Sequence, residues 1–253
     1  MSLSDEQLDR YARHIVLPEI GGAGQVALTR AHVAIIGAGG IGSPALLYLA
    51  AAGMGQLTII DDDVVALANL QRQIAFGTDD IGAPKVDAAH KAIQRINPDV
   101  EVFPVETRIS ADNADALLAG ADVILDGSDN FATRLAVSDA SVLLKIPLVS
   151  AAIGKFQGQL GTFYGWQADK PCYRCFVGDA FDADDCDTCA DVGVLGPMVG
   201  LMGCFAAMEA IREITGFGAD QSGRLHLIDG LAPSMRAIRV IKDPACKGCS
   251  HAD

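Results

Sequence analysis

Six of the seven cysteines fall into C-x-x-C pairs, at Cys172 and Cys175, Cys186 and Cys189, and Cys246 and Cys249. Two such pairs brought together by folding present four thiolates, the donor set of a closed tetrahedral zinc site. The strings Cys172-Tyr173-Arg174-Cys175 and Cys246-Lys247-Gly248-Cys249 have this spacing, and a site joining them would hold the tail to the body. Spacing alone also admits Cys186 and Cys189 as the second pair, or as a redox pair. Cys204 lies in an apolar stretch and is expected to be a buried core residue. The histidines, His14, His32, His90, His226 and His251, show no partner pattern for metal binding or nucleophilic catalysis.

A second group of residues suits phosphate chemistry. Gly37-Ala38-Gly39-Gly40-Ile41-Gly42 follows an apolar run and opens a helical pattern. Such a loop lets backbone amides approach a phosphate at the positive end of a helix. A tight turn with no ligand has the same sequence, so the loop is weak evidence by itself. Asp61 ends the next apolar run, where an acid can take ribose hydroxyls. Loop and acid suit NAD as well as ATP. Asn69-Leu70-Gln71-Arg72-Gln73 and then Lys85 add an amide and two cations, which suit a triphosphate. A solvated surface role for Arg72 or Lys85 is the plain alternative. Asp129, in Gly127-Ser128-Asp129-Asn130, stands just past an apolar run and is a candidate magnesium ligand or, equally in keeping with its type, a helix N-cap. Asp126 is expected in the sheet edge or turn.

The elements that must position these groups alternate between short apolar strands and helical stretches. Strands are expected at His32 to Ile36, Leu57 to Ile60, Val100 to Val105, Val123 to Leu125 and Pro147 to Ser150. This rhythm predicts an α/β fold: a Rossmann-like, mostly parallel sheet covered by helices. Ser4 and Gln7 make a capping box ahead of Leu8, Tyr11 and Ile15, so a helix carrying Arg13 precedes the sheet. After Ser150 the texture changes to glycine-punctuated alternation, a Cys- and Asp-rich loop, an apolar helix near Met198 to Ile214 and a strand at Leu225 to Ile228. Antiparallel strands and the zinc site belong to this part. One domain over 1–253 is expected, with a helical arm at 1–30, a nucleotide-binding half at 31–150 and a half at 151–253 that holds the paired cysteines.

With 253 residues, 50% hydrophobic and 20% charged, the chain is long enough to bury a sizeable core. A net charge of -13 opposes nucleic-acid binding, because phosphate backbones need a basic stripe. The charged first residues lack the apolar segment of a secretory signal, so a cytoplasmic protein is expected. In that reducing compartment the cysteines serve metal binding or catalysis rather than disulfides. The uncharged run from Val192 to Met208 holds four glycines and one proline and reads as a core helix rather than a membrane span.

The string LTIIDDDVVALANLQRQ, with GAGGIG before it and SDN after it, closely resembles the molybdopterin-synthase and thiamine-biosynthesis adenylyltransferases, bacterial relatives of ubiquitin-activating enzymes. The resemblance runs from Arg10-Tyr11-Ala12-Arg13 to the terminal CKGC. It implies a homodimer that uses ATP and magnesium to adenylate the C-terminal glycine of a β-grasp sulfur carrier ending in Gly-Gly. It also implies roles for single residues. Gly40 and Asp61 would bind the nucleotide, Asn69, Arg72 and Lys85 its phosphates, with Leu70 and Gln71 in the same segment. Asp129 and Asn130 would surround magnesium and the reacting phosphate, and Arg13 would reach the neighbouring subunit's phosphates. Cys172, Cys175, Cys246 and Cys249 would hold zinc, and Cys189 would form a thioester or persulfide with the carrier. With no rhodanese-like segment after Asp253, sulfur is expected from a separate donor protein. An NAD-dependent oxidoreductase shares the glycine loop and Asp61 but leaves Arg72, Lys85 and the paired cysteines without a joint purpose. A non-catalytic nucleotide-binding scaffold leaves Asp129 and Arg72 unexplained.

Overall fold

A computed structural model describes residues 3–178 and 193–250. Cys186 and Cys189 lie outside the described residues. One eight-stranded sheet runs through the molecule in the order β3-β2-β1-β4-β5-β6-β7-β8. Strands β1 (His32–Ile36), β2 (Gln56–Ile60), β3 (Glu101–Val105), β4 (Val123–Asp126) and β5 (Leu148–Gly154) pair in parallel. Strands β6 (Gln157–Phe163), β7 (Arg224–Asp229) and β8 (Ser234–Arg239) continue the sheet antiparallel. The apolar runs VAII, LTII and VILD are buried at every position, as central parallel strands covered on both faces require. The boundary expected at Ser150 falls within β5, so the same sheet carries both parts of the chain.

Three helices precede the sheet: α1 (Asp5–Arg10), α2 (Ala12–Ile15) and α3 (Gly21–Leu28). The Ser4–Gln7 capping box forms with both of its hydrogen bonds, at 3.2 and 3.1 Å. Asn97 Nδ2 donates to Tyr11 Oη at 2.8 Å, and Arg10 Nη1 donates to the Ile96 carbonyl at 3.1 Å, tying this arm to the body. One face of the sheet is covered by α4 (Gly42–Ala51), α5 (Lys85–Ile96) and α9 (Gly196–Thr215), the other by α6 (Ala114–Leu118), α7 (Phe131–Leu144) and α8 (Tyr173–Val177).

Helix α9 contains the apolar run expected as a core helix, and its small residues explain the run's composition. A Cβ on Gly203 would lie 2.3 Å from the Ile41 carbonyl oxygen, so α9 approaches the start of α4 more closely than a side chain permits. Met198, Val199, Met202, Ala206 and Ala210 are its buried face. Cys204 lies beside that face and is only half-buried, which corrects the expectation of a core cysteine. Among the described residues no helix is long and apolar enough to cross a membrane. Strand β8 was not expected from the sequence; its residues are exposed throughout and carry no inward-facing apolar alternation.

Candidate active site and four-cysteine cluster

The strand order reverses direction at β1, with β2 on one side and β4 on the other. A crevice opens there, beyond the C-terminal ends of the parallel strands, where open α/β sheets bind ligands. It has a volume of about 450 Å³. Gly37, at φ +85°, turns the chain from β1 toward α4, and a Cβ there would meet the Gly127 carbonyl oxygen at 3.3 Å. The loops after β1 and β4 are therefore in contact, and glycine is needed at both the turn and the approach.

Gly37, Gly39, Gly40, Asp61, Asn69, Arg72, Lys85, Asp129 and Asn130 all line the crevice. Gly42 does not; a Cβ on it would fall 1.9 Å from the Gly37 carbonyl oxygen, so it shapes the loop from behind. Leu70 and Gln71 do not line it either. Leu70 packs against the core and Gln71 is exposed, because the turn after Asn69 sends alternate parts of the string away from the crevice. Arg13 is exposed on α2 and does not line the crevice of its own chain.

Asp61 is fixed from two sides: Oδ2 accepts from Ala38 N at 2.8 Å and Oδ1 from Asp63 N at 2.9 Å. Burial raises its pKa, and the Lys85 charge and these two amides offset the rise only in part. Lys85 is buried, with Nζ 2.7 Å from Asp63 Oδ2 and 3.8 Å from Asp61 Oδ1. It therefore reaches the crevice already paired, not as a bare point charge. Arg72 Nη1 donates to the Ala68 carbonyl at 3.1 Å. Asn69 Oδ1 accepts from Ala66 N at 3.1 Å, which leaves its Nδ2 for a ligand.

The N-cap of α7 is Asn130, whose Oδ1 accepts from Thr133 N at 3.0 Å. Capping therefore does not occupy Asp129, which is exposed in the crevice and forms no hydrogen bond or ion pair to any described residue. The three neighbouring carboxylates Asp61, Asp62 and Asp63 are each engaged with an amide or a cation, Asp62 with Arg108 Nε at 3.0 Å. Asp129 is thus the crevice carboxylate whose lone pairs are available to a hard cation.

Two groups in and under this crevice, Gln73 and Arg134, escape a sequence reading. Gln73 is 3% exposed, and its Oε1 has no hydrogen-bond partner among the described residues. Its Nε2 would be 3.8 Å from a Cβ on Gly39, so the amide lies against the glycine loop. Its place directly after Arg72 was the available signal. Asp126, expected at a sheet edge or turn, is fully buried with Arg134 beneath the loop that carries Asp129.

Far from this crevice along the chain, Cys172, Cys175, Cys246 and Cys249 come together with free thiols. The Sγ atoms of Cys172 and Cys175 are 3.9 Å apart, those of Cys172 and Cys246 3.6 Å, and those of Cys175 and Cys249 3.4 Å. A tetrahedron with Zn–S bonds of about 2.3 Å has edges of about 3.8 Å, so the donor set and its dimensions are compatible with zinc. Asp243 N donates to Cys175 Sγ at 3.4 Å, an N–H···S contact of the kind that steadies a thiolate ligand. Burial pushes the Cys172 thiol well up and Cys249 up to about 11, so without a cation these sulfurs hold their protons. Arg174, inside the first pair, makes a two-pronged bond to Asp139 of α7 at 2.7 and 2.6 Å.

The sequence pattern of the ThiF family matches residues 11–249. The SAMP-activating enzyme E1 of Haloferax volcanii is 43% identical over 251 residues, covering 99% of this chain and 92% of that protein. The sulfur carrier protein adenylyltransferase of Thermus thermophilus is 40% identical, covering 98% and 93%. The molybdopterin-synthase adenylyltransferase of Salmonella typhimurium is 37% identical, covering 98% and 99%. With the family pattern spanning nearly all of it and such relatives matching end to end, the chain belongs to the ThiF family.

Proposed function

We propose that the chain is an adenylyltransferase that uses ATP to activate the C-terminal glycine of a small ubiquitin-like sulfur carrier, in molybdenum cofactor or thiamine biosynthesis. The observation that carries this reading is the convergence, in one crevice, of a glycine loop at a helix N-terminus, a ribose-side acid, two cations and a free carboxylate. The amides of the loop after β1 and the start of α4 suit phosphate oxygens. Asp61 suits a ribose, and Arg72 and Lys85 supply positive charge; the ammonium of Lys85 keeps a donor beyond its two acidic partners. Magnesium accompanying ATP would be held by Asp129 and would offset charge on the polyphosphate.

The chemistry follows from charge. The carrier's terminal carboxylate attacks the α-phosphate; one P–O bond forms, the bond to the β-phosphate oxygen breaks, and pyrophosphate leaves with the electron pair. The carboxylate is already ionised near neutral pH, so no general base is required. What the chain must supply is orientation and relief of repulsion between two anions, which fixed amides, guanidinium and ammonium groups provide. The four thiols would hold a structural zinc ion, since all four positions of a tetrahedron are taken by protein.

The carrier would be a β-grasp protein with a Gly-Gly tail, sulfur would come from a separate donor protein, and the working unit would be a homodimer in the cytoplasm, where free thiols persist. Of the two pathways, the molybdopterin carrier is the first to try. The test is carrier-dependent exchange of labelled pyrophosphate into ATP. Exchange with one Gly-Gly carrier supports the reading. Absence of exchange with all of them, together with tight NAD binding, would replace it with a dinucleotide enzyme.

A further inference from the structure

Resting on the adenylation reading of the crevice, we propose that the buried Asp126–Arg134 pair is a positioning device that aims the Asp129 carboxylate. Asp126 ends β4 and is 0% exposed; Arg134, in the first turns of α7, is 4% exposed. Asp126 Oδ1 accepts from Ser128 N at 3.0 Å and from Ser128 Oγ at 2.6 Å. Arg134 Nη2 donates to the Ser128 carbonyl and, at 2.8 Å, to the Ala151 carbonyl, while Nη1 donates to Ser150 Oγ at 3.0 Å. Ser128 is thus held on both sides of its Cα. Its carbonyl belongs to the same peptide plane as the Asp129 N–H, so fixing that oxygen fixes the plane from which Asp129 departs. On the other side, Asn130 is fixed as the α7 cap. Asp129 stands between two clamped residues with its own side chain unengaged.

The same guanidinium sets the neighbouring wall, built by β5 beside β4. Ser150 and Ala151 lead directly into Ala152, Ile153 and Gly154 of β5, which line the crevice. One planar fork therefore links the floor, the loop carrying Asp129 and the adjoining wall at the end of β5. A lysine could not do this, because an ammonium cannot span carbonyls and hydroxyl in a fixed plane. Stability is a poor reason for the pair. Buried ion pairs often gain little over apolar replacements, and among the described residues Asp126 Oδ2 has no hydrogen-bond partner, only Arg134 Nη1 at 3.5 Å. The arrangement trades a well-satisfied ion pair for a rigid loop.

The test compares Arg134→Lys and, as a milder change that removes one hydroxyl, Ser150→Ala, each alone and combined with Asp129→Asn. Readouts are pyrophosphate exchange, melting temperature and the magnesium needed for half-maximal binding of a non-hydrolysable ATP analogue. Arg134→Lys should lower the exchange kcat by about 10- to 100-fold with the ATP KM within about threefold, the scale expected for misplacing one reacting group. Ser150→Ala should lower it by about 3- to 10-fold, and both should need more magnesium for analogue binding. Added to Asp129→Asn, neither should cost more than about twofold, because the group being aimed is already gone. Multiplicative losses in the double variants, or folded Arg134→Lys and Ser150→Ala proteins with unchanged kcat and magnesium requirement, would overturn the positioning role while leaving adenylation intact. A wild-type protein inactive with every Gly-Gly carrier would instead remove the adenylation reading and, with it, this one.

Discussion

The crevice at the end of the parallel strands and the four-thiol cluster beside α8 handle polar groups in opposite ways. In the crevice, Asp61, Asn69 and Asn130 are pinned by backbone amides, while Asp129 is left open. Its frame is an extensive apolar core on both faces of the sheet, so the fold does not depend on what fills the crevice. Around the thiols the buried apolar cluster consists of Val142, Cys172, Cys246 and Cys249, with Trp166 and Cys175 packed against it. So small a cluster cannot hold a chain tail by burial alone. On the proposed function, a site for a passing ligand is built on a core that stands without it, whereas a site for a resident ion would substitute for a core.

The largest consequence falls on the thiols. Cys246→Ser should lose zinc and lower the melting temperature by about 10 °C or more, since zinc can supply on the order of 10 kcal/mol and a chain of this size shifts by about 2–4 °C per kcal/mol. Metal analysis and a melting curve measure both. Cys189→Ser should keep zinc, melting temperature and pyrophosphate exchange, while abolishing any covalent carrier complex that reductant cleaves on a non-reducing gel. If Cys189→Ser lost its zinc and Cys246→Ser kept it, the ligand set would be redrawn around Cys186 and Cys189, and the contrast between the two regions would go with it.

The crevice should respond the other way round. Asp129→Asn removes a carboxylate that supports no packing, so exchange should fall by about 10² to 10³. The melting temperature should move by no more than about 1 °C, as for other exposed substitutions. A large loss of stability with the activity would show that the crevice, like the cluster, is held together by its polar groups.

The sequence was most informative where one principle acts locally. Buried parallel strands read as unbroken apolar runs, the capping box as Ser4 and Gln7, and the thiol cluster as paired spacing. It was least informative where chain-distant groups decide the outcome. Lys85 meets Asp63 because the Val64–Pro84 bridge folds the intervening loop back, and nothing in either residue's surroundings announces that pairing. Arg134 looks like a surface residue of α7 until Ser150 and Ala151 arrive from β5. Cys204 has apolar sequence neighbours, but the helix period turns it off the buried face. Strand β8 has every side chain exposed, so no periodicity could mark it. In the crevice, residue types were readable and their engagement was not: Asn130, not Asp129, proved to be the cap.

A sharper form of the comparison concerns Arg13, which lies outside the crevice of its own chain. If it completes the site of a second copy, inactive Arg13→Ala and inactive Asp129→Asn proteins should restore activity when mixed, because hybrid dimers carry one intact site. Random exchange makes half the dimers hybrid, so about a quarter of wild-type exchange is expected. No recovery after subunit exchange has been verified, for instance by mass spectrometry of differently labelled protomers, would remove Arg13 from the site.

The smallest expected effect lies outside both regions' named residues, at the end of α9. There Glu213 accepts a short hydrogen bond from Tyr164 Oη, and Glu209 is held by Arg212 Nε at 3.1 and 3.2 Å. Burial raises the pKa of Glu213 above its ordinary 4.5; nearby Glu209 and Asp220 add to the rise, while the Tyr164 hydroxyl and Arg212 oppose it. An acid with a raised pKa binds its proton more tightly in the folded state than in the unfolded one. Its contribution to stability is therefore full below the unfolded pKa and is lost as pH rises through the folded value. Glu213→Gln keeps the shape and can still accept from Tyr164, but it does not ionise. Near pH 4, where Glu213 is largely neutral, variant and wild type should melt at nearly the same temperature, and the variant should become the more stable of the two as pH approaches about 8. Melting curves across that range decide it. A difference that stays flat with pH would mean that the Tyr164 hydrogen bond and Arg212 fully offset the burial of this carboxylate, and that this corner, like the crevice, tolerates charge because its partners are fixed.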